Sequence, residues 1–392
     1  MTNKPQFVGE RVQTLLLDCA KLTGKGPSSF EGARCYASTS AVSDGTVHPD
    51  QLEQVTYNNR PSRANQIAQA GDVIVARMQA TSKVLEVNET NEGFIYSTGF
   101  AVLSPHPSII SQRCLFHLLL SPSFKRSKDK LCTGATQKAI TNAGFKKLKI
   151  SFPRRDYQDQ AVSKLDHVLG QIKNSEQRLA TLDALVKSRF VEMFGDPATN
   201  SHNLPTERLS ALGSLERGRS KHRPRNAPEL RGGPDGPYPL VQTGDITNAG
   251  LYLSTYEDTY TELGLHQSKI WPKGTLCITI AANIAQTSIL AIDACFPDSV
   301  VGFTPGPAIQ NVFLHYWFDF FQGILEEQAP QAAQKNINLR ILSELSVITP
   351  SMEMQQEFAD FVAQVDKSRF IAQQQIEKLQ MLYDKLAQDY FG

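Results

Sequence analysis

Long hydrophobic runs are missing from this chain. No stretch of 18 apolar residues occurs, so no membrane-spanning helix is expected. The opening residues, MTNKPQFVGE, lack the apolar core of a signal peptide. Cysteine is sparse: Cys19, Cys35, Cys114, Cys132, Cys277 and Cys295 are scattered without a C-x-x-C pair. That argues against a zinc site or a disulfide framework and for a reduced, cytoplasmic setting. An excess of one charge is missing too. The net charge is +1 over 392 residues, so any nucleic-acid surface has to be local.

Catalytic signatures are also absent. There is no G-x-x-x-x-G-K-[ST] phosphate loop and no glycine fingerprint after a strand. The N-P-P-[FYW] or D-P-P-[FYW] tetrapeptide of an amino-methyltransferase does not occur. The eight histidines show no metal-ligand spacing. Asp235 and Asp298 each follow a proline, but no E-x-K completes a nuclease pattern. No catalytic residue and no metal site are expected.

What is present is a duplication. QKAITN at Gln137–Asn142 returns as QKNINL at Gln334–Leu339, 197 positions later. Overlaying residues 137–195 on 334–392 without gaps matches 12 of 59 positions. Unrelated segments match at roughly one position in sixteen, about three or four here. Upstream, GDVIVARM from Gly71 resembles GTLCITIA from Gly274, and GFAV from Gly99 resembles GFTP from Gly302. The fronts agree only loosely, LTGKGPSS from Leu22 against ERGRSKHR from Glu216. A period near 200 residues points to duplicated domains rather than a solenoid. Hydrophobic residues at 41% leave ample material for two globular cores.

Each half reads as a mixed globular region followed by one long helix. DVIVARM and TLCITIA are apolar, partly β-branched runs after a glycine and read as strands. SIISQRCLFHLLL and IQNVFLHYWFDFF read as helices. After Pro153, Leu165, Val168, Ile172, Ser175, Leu179, Leu182, Val186, Arg189 and Met193 recur at spacings of three and four. After Pro350, the same register carries Val362, Val365, Arg369, Ala372, Ile376, Leu379, Tyr383, Leu386 and Tyr390. Such stripes fit a coiled-coil seam. A pair of surface helices, each packed on its own domain, is the plainer alternative. At 1.5 Å per residue each segment is ~57 Å long, which favours pairing of the two copies. Paired antiparallel, they would form a rod with pseudo-twofold symmetry, matched to the local twofold of B-DNA.

The most unusual local chemistry is RGRSKHRPRN, with Arg217, Arg219, Lys221, Arg223 and Arg225 within nine residues. Basic loops neutralise phosphates, and arginine reaches guanine edges with two hydrogen bonds. A merely solvated charged loop is the alternative. In the first half the cations are dispersed: Lys25 and Arg34 near the front, then Lys125, Arg126 and Lys128 in FKRSKDK. The pairs Gln137–Lys138 and Gln334–Lys335 fit phosphate contacts or turn caps equally well, and Gln242 is a further candidate.

At this point the chain resembles a known family, the specificity subunits of type I restriction–modification systems. The carriers are YPLVQTGDITNAG, ANIAQTSIL, AAQKNINLRILSELSVITP and LDALVKSRFVEMFGD, in an order that spans the whole sequence. The resemblance implies an α+β protein with two tandem target recognition domains joined by two long helices paired as an antiparallel coiled coil. Expected bounds are 1–155 and 196–351 for the recognition domains, and 156–195 and 352–392 for the spacer helices. It implies a non-catalytic subunit that binds a bipartite, asymmetric DNA target, one half-site per domain. Two methyltransferase subunits carrying S-adenosylmethionine would dock on the helices, and motor-nuclease subunits are further partners in systems that cut. No cofactor is expected on this chain. The expected DNA contacts are Lys25, Arg34, Lys125, Arg126, Lys128, Gln137, Lys138, Arg217, Arg219, Lys221, Arg223, Arg225, Gln242, Gln334 and Lys335. The expected seam is Leu165, Val168, Ile172, Leu179, Leu182, Val186, Val362, Val365, Ile376, Leu379, Tyr383 and Leu386. In the first half YASTSAVSDG stands where the second has LVQTGDI. A single-chain DNA-modifying enzyme and a coiled-coil scaffold are the alternative classes.

Overall fold

The computed structural model describes residues 10–222, 224, 227–281, 284–328 and 337–392. The chain forms two compact units, one of Met1–Gln177 with Ala372–Gly392, the other of Arg178–Ile371. Both mix sheets and helices, and each holds one end of each long helix.

In the first unit a four-stranded antiparallel sheet runs in the order Ala20–Leu22, Phe100–Pro105, Val73–Ala76, Val84–Glu86. Val73, Ile74, Val75 and Ala76 are all buried. A strand covered on both faces is uniformly apolar, and VIVA meets that demand. Gly71, two residues before it, has φ +97°, a backbone region closed to most side chains. Its N–H donates to the Val87 carbonyl at 2.9 Å and so starts the pairing. A second four-stranded sheet has the order Glu53–Val55, Arg34–Ala37, Ile95–Ser97, Ala64–Gln66. Its two central strands are parallel. The helix Gln112–Leu120 starts at a Ser111 cap, whose hydroxyl accepts from the Cys114 N–H at 3.2 Å.

The second unit is built around five strands in the order Gly213–Arg217, Val300–Pro305, Leu276–Thr279, Thr287–Leu290, Tyr252–Leu253. Gly274 repeats the device of Gly71: φ is +91° and its N–H donates to the Leu290 carbonyl at 2.8 Å. The halves differ where their sequences do. Thr243–Ala249 is a helix in the second unit, whereas the first has a short hairpin of Val42–Ser43 and Thr46–Val47.

The long helices are Arg155–Phe194 and Met352–Phe391, 40 residues each. In the first unit Leu165, Val168 and Ile172 share a core with Tyr383, Ala387, Tyr390 and Phe391, flanked by Ile376, Leu379 and Leu386. In the second unit Val186, Phe190 and Phe194 share one with Phe358, Val362 and Val365, flanked by Leu182. Leu179 is half-buried. Ion pairs in the second unit give the direction. Arg189 meets Glu357 at 2.7 Å and Asp183 meets Arg369 at 2.6 Å, so one helix descends as the other rises. The helices therefore pair antiparallel, and their paired ends also complete each unit's core. The pairing expected from the sequence therefore holds, and the plainer alternative, two helices each packed only on its own domain, does not. The fold is α+β, with tandem domains and an antiparallel helix pair.

The seam does not keep to the heptad stripe throughout. Toward the end of the first helix the fully buried positions are Val186, Phe190 and Phe194, while Arg189 and Met193 are half-buried. Ala387 is buried completely and Leu386 only partly. An α-helix drifts by about 20° per heptad against a 3.5-residue repeat, enough to hand the seam to the next position. Among the described residues no helix is long and apolar enough to cross a membrane.

Candidate nucleic-acid interface

In the first unit the expected DNA contacts fall in two places. Lys25 and Arg34 are exposed beside the parallel-centred sheet: Lys25 bridges to Ile67, next to the strand Ala64–Gln66, and Arg34 opens the strand Arg34–Ala37. Arg34 lies over the Phe30 ring, 4.5 Å from its centroid. Phe30 meets Tyr57 edge-on at 5.6 Å, and Arg60 covers Tyr57 at 4.1 Å. Phe30 itself leans on the buried cluster Tyr36, Val55, Ala64 and Ile95. Phe30, Tyr57 and Arg60 were not among the sequence candidates. Their signal would have been aromatic residues interleaved with arginine in SFEGAR and TYNNRPSR.

The second place is the helix Pro122–Lys130 and the loop after it. Lys125 is half-buried, and exposed Arg126 donates to the Gln388 Oε1 at 2.6 Å. Lys128 is a correction. It is fully buried, and its ammonium donates to the carbonyls of Ala76 at 3.4 Å, Met78 at 2.8 Å and Thr81. Burial holds its pKa below the ordinary lysine value, while Asp129 opposes the shift. A lysine whose charge is satisfied inside the fold has none to offer a phosphate. Gln137 and Lys138 are exposed. Their loop is closed by Thr133 and Ala139, which exchange two backbone bonds of 3.0 Å.

In the second unit two cations of the basic segment are already engaged. Arg217 donates to the Asp298 carbonyl at 2.6 Å, and Arg219 pairs with Glu216 at 2.7 Å. Glu216 also takes Lys269, and these two cations, Lys269 foremost, hold its carboxyl below the usual range. Lys221 is exposed. Gln242 is exposed at the start of the helix Thr243–Ala249, where its N–H donates to the Asp245 carboxylate at 2.8 Å. Arg223, Arg225, Gln334 and Lys335 lie outside the described residues.

The arrangement can bind a polyanion through exposed cations on both units. Among the described residues no cluster of His, Cys, Asp and Glu could hold a metal ion. Two solved structures share the architecture. One, from a study of complex assembly and conformational transition of the type I R-M system, is 18% identical. It aligns over 98% of this chain and 97% of its own, with a TM-score of 0.57. The other, the type I restriction-modification S subunit from M. genitalium, is 14% identical over 99% and 98%, with a TM-score of 0.52. At these identities the likeness is one of fold. A family model described as the type I restriction modification DNA specificity domain matches twice, at residues 39–184 and 221–381, and on that coverage the chain belongs to this family.

Proposed function

We propose that this protein is the DNA-recognition subunit of a type I restriction–modification complex and reads a bipartite, asymmetric target, one half-site per unit. The observation that carries the reading is the double match of one specificity-domain model to two units whose exposed basic segments differ. Two similar frames with unlike contact residues suit two unlike half-sites. Lysine and arginine contacts to phosphates supply salt-dependent affinity, and a few polar groups supply sequence choice. The paired helices serve as spacer and as the seat of methyltransferase subunits. Methyl transfer, with its S-adenosylmethionine, takes place on those partners, which extrude the target base while the duplex is held.

The test is a domain exchange. Residues 196–351 are replaced by the matching segment of a relative that reads a different sequence. The chimera is expressed with its methyltransferase partners, and the methylated motif is mapped across the host chromosome. One half of the motif should change and the other should stay. A motif that keeps both original halves overturns the reading. Methyl transfer or cleavage by this chain alone would instead favour a self-contained DNA-modifying enzyme.

A further inference from the structure

Seven cation–ring contacts occur among the described residues, at Arg34, Arg60, Arg77, Arg113, Arg189, Arg231 and Lys269. Six of these cations are also tied by polar bonds. Arg60 donates to the carbonyls of Ala64 and Tyr57, and Arg77 to those of Phe100 and Ile140. Arg113 pairs with Glu86 and Asp166, Arg189 with Glu192 and Glu357, Arg231 with Asp258, and Lys269 with Glu216. Arg34 differs. Its guanidinium rests on Phe30 and, among the described residues, takes part in no side-chain hydrogen bond or ion pair, yet the residue is exposed.

That combination is unusual on physical grounds. A free surface arginine loses considerable side-chain freedom when it binds, and stacking on a ring removes part of that loss in advance. The ring beneath Arg34 is itself held. Phe30 packs on Tyr36, Val55, Ala64 and Ile95, and is braced edge-on by Tyr57. Tyr57 is in turn covered by Arg60, whose own donors are fixed on the backbone. The row Arg60–Tyr57–Phe30–Arg34 thus ends in one seated guanidinium whose five N–H donors meet no partner among the described residues. A planar donor fork of this kind matches the O6 and N7 acceptors of guanine in the major groove.

We infer that Arg34, seated on Phe30, is a sequence-reading residue of the first unit, making a bidentate contact to a base edge in its DNA half-site. This deepens the proposed function and rests on it. Exposed Lys25 and Arg63, on the segments flanking the strand Ala64–Gln66 of the same sheet, add positive charge for the adjoining phosphates. In the second unit the comparable ring-stacked cations Arg231 and Lys269 are neutralised by Asp258 and Glu216, so its half-site is read by other groups.

The test uses the full chain with its methyltransferase partners and a set of duplexes varied one base pair at a time. Arg34→Lys keeps the charge and removes the fork. It should lower discrimination at one base pair about tenfold or more, the scale of a lost bidentate contact. The affected position should lie in the half-site retained when residues 196–351 are exchanged. Phe30→Leu should weaken discrimination at that same base pair. The unfolding midpoint of Arg34→Lys should equal that of the parent, which excludes a merely structural effect. Unchanged discrimination at every position overturns the inference, as does a uniform loss of affinity or an effect confined to the other half-site. If the parent itself shows no two-part motif, the proposed function fails before any variant is compared.

Discussion

Gln158 and Gln355, 197 residues apart, make the same three hydrogen bonds, each within its own unit. The Gln158 Oε1 accepts from the Ser111 N–H at 2.9 Å, and its Nε2 donates to the carbonyls of Ile109 at 2.8 Å and Pro153 at 3.1 Å. The Gln355 Oε1 accepts from the Gln310 N–H at 2.8 Å, and its Nε2 donates to the carbonyls of Ala308 at 3.1 Å and Pro350 at 2.9 Å. Both side chains are completely buried. In each unit one amide therefore ties the first turn of a long helix to the proline just before that helix and to the start of an earlier helix, Gln112–Leu120 or Asn311–Gln328. The relation was visible in the sequence only as one identity among twelve.

Replacing either glutamine with leucine should be costly. The apolar side chain leaves one N–H and two carbonyls buried without partners, at about 1–3 kcal/mol each. Gln158→Leu and Gln355→Leu should each lower stability by roughly 3 kcal/mol or more, read by denaturant unfolding. A change below about 1 kcal/mol would show that these bonds are easily replaced.

Phe190 should be the most sensitive position of the seam. It is fully buried, with its ring stacked on Phe313 at 5.5 Å and Phe320 at 5.0 Å, and meeting Phe358 edge-on at 5.4 Å. Phe190→Ala should cost about 3–5 kcal/mol, the range for removing a buried phenyl ring. Leu185, on the same helix but 46% exposed, should tolerate alanine within about 0.5 kcal/mol. Equal losses at the two positions would contradict the described seam.

How much of this was legible follows from which forces are local. The helices could be read because Leu165, Val168 and Ile172, or Val362 and Val365, must recur at three and four to share a face. The central strands could be read because burial on both faces demands runs such as VIVA. The passage of the seam from Arg189 to Phe190 was hidden, since it depends on drift accumulated along the helix rather than on any local pattern. The row Arg60–Tyr57–Phe30–Arg34 joins segments that the chain separates by more than twenty residues, so neither segment announces the other. Lys128 was misread for the same reason. Inside FKRSKDK it looks like its neighbours, and only the carbonyls of Ala76, Met78 and Thr81 distinguish it.

That difference separates two lysines by experiment. Lys128→Met should destabilise the first unit, because three inward carbonyls lose their donor, while leaving the salt dependence of DNA binding unchanged. Lys25→Gln should do the reverse. It should leave stability within about 0.5 kcal/mol and reduce the slope of log affinity against log salt by about 0.9, the value for one phosphate contact. Titrations of binding at several salt concentrations, set beside unfolding curves, read both effects. A change in slope for Lys128→Met would return that residue to the DNA surface.

Two buried histidines make stability depend on pH. His117 is fully enclosed. Its Nε2 meets the Asp166 carboxylate at 2.8 Å and its Nδ1 the Tyr383 hydroxyl at 2.8 Å. His315 is 6% exposed, with its Nδ1 at 2.9 Å from the Thr287 hydroxyl. Burial, the largest influence on both, holds each imidazole below its ordinary value of 6.5, and nearby carboxylates offset this only in part. A histidine with a lowered folded-state pKa takes up its proton more readily in the unfolded chain. Its contribution is therefore complete above pH 6.5 and is lost as pH falls from 6.5 through the folded-state value. Asp166, held below the usual carboxylate range by its bonds to His117 and Arg113, acts in the same direction only at a pH below about 4. The unfolding midpoint should thus fall between about pH 7.5 and about pH 5.5, and His315→Asn should flatten that fall even though it weakens the protein at neutral pH. A parent midpoint that stays level across this interval would mean that neither imidazole is kept neutral by the fold.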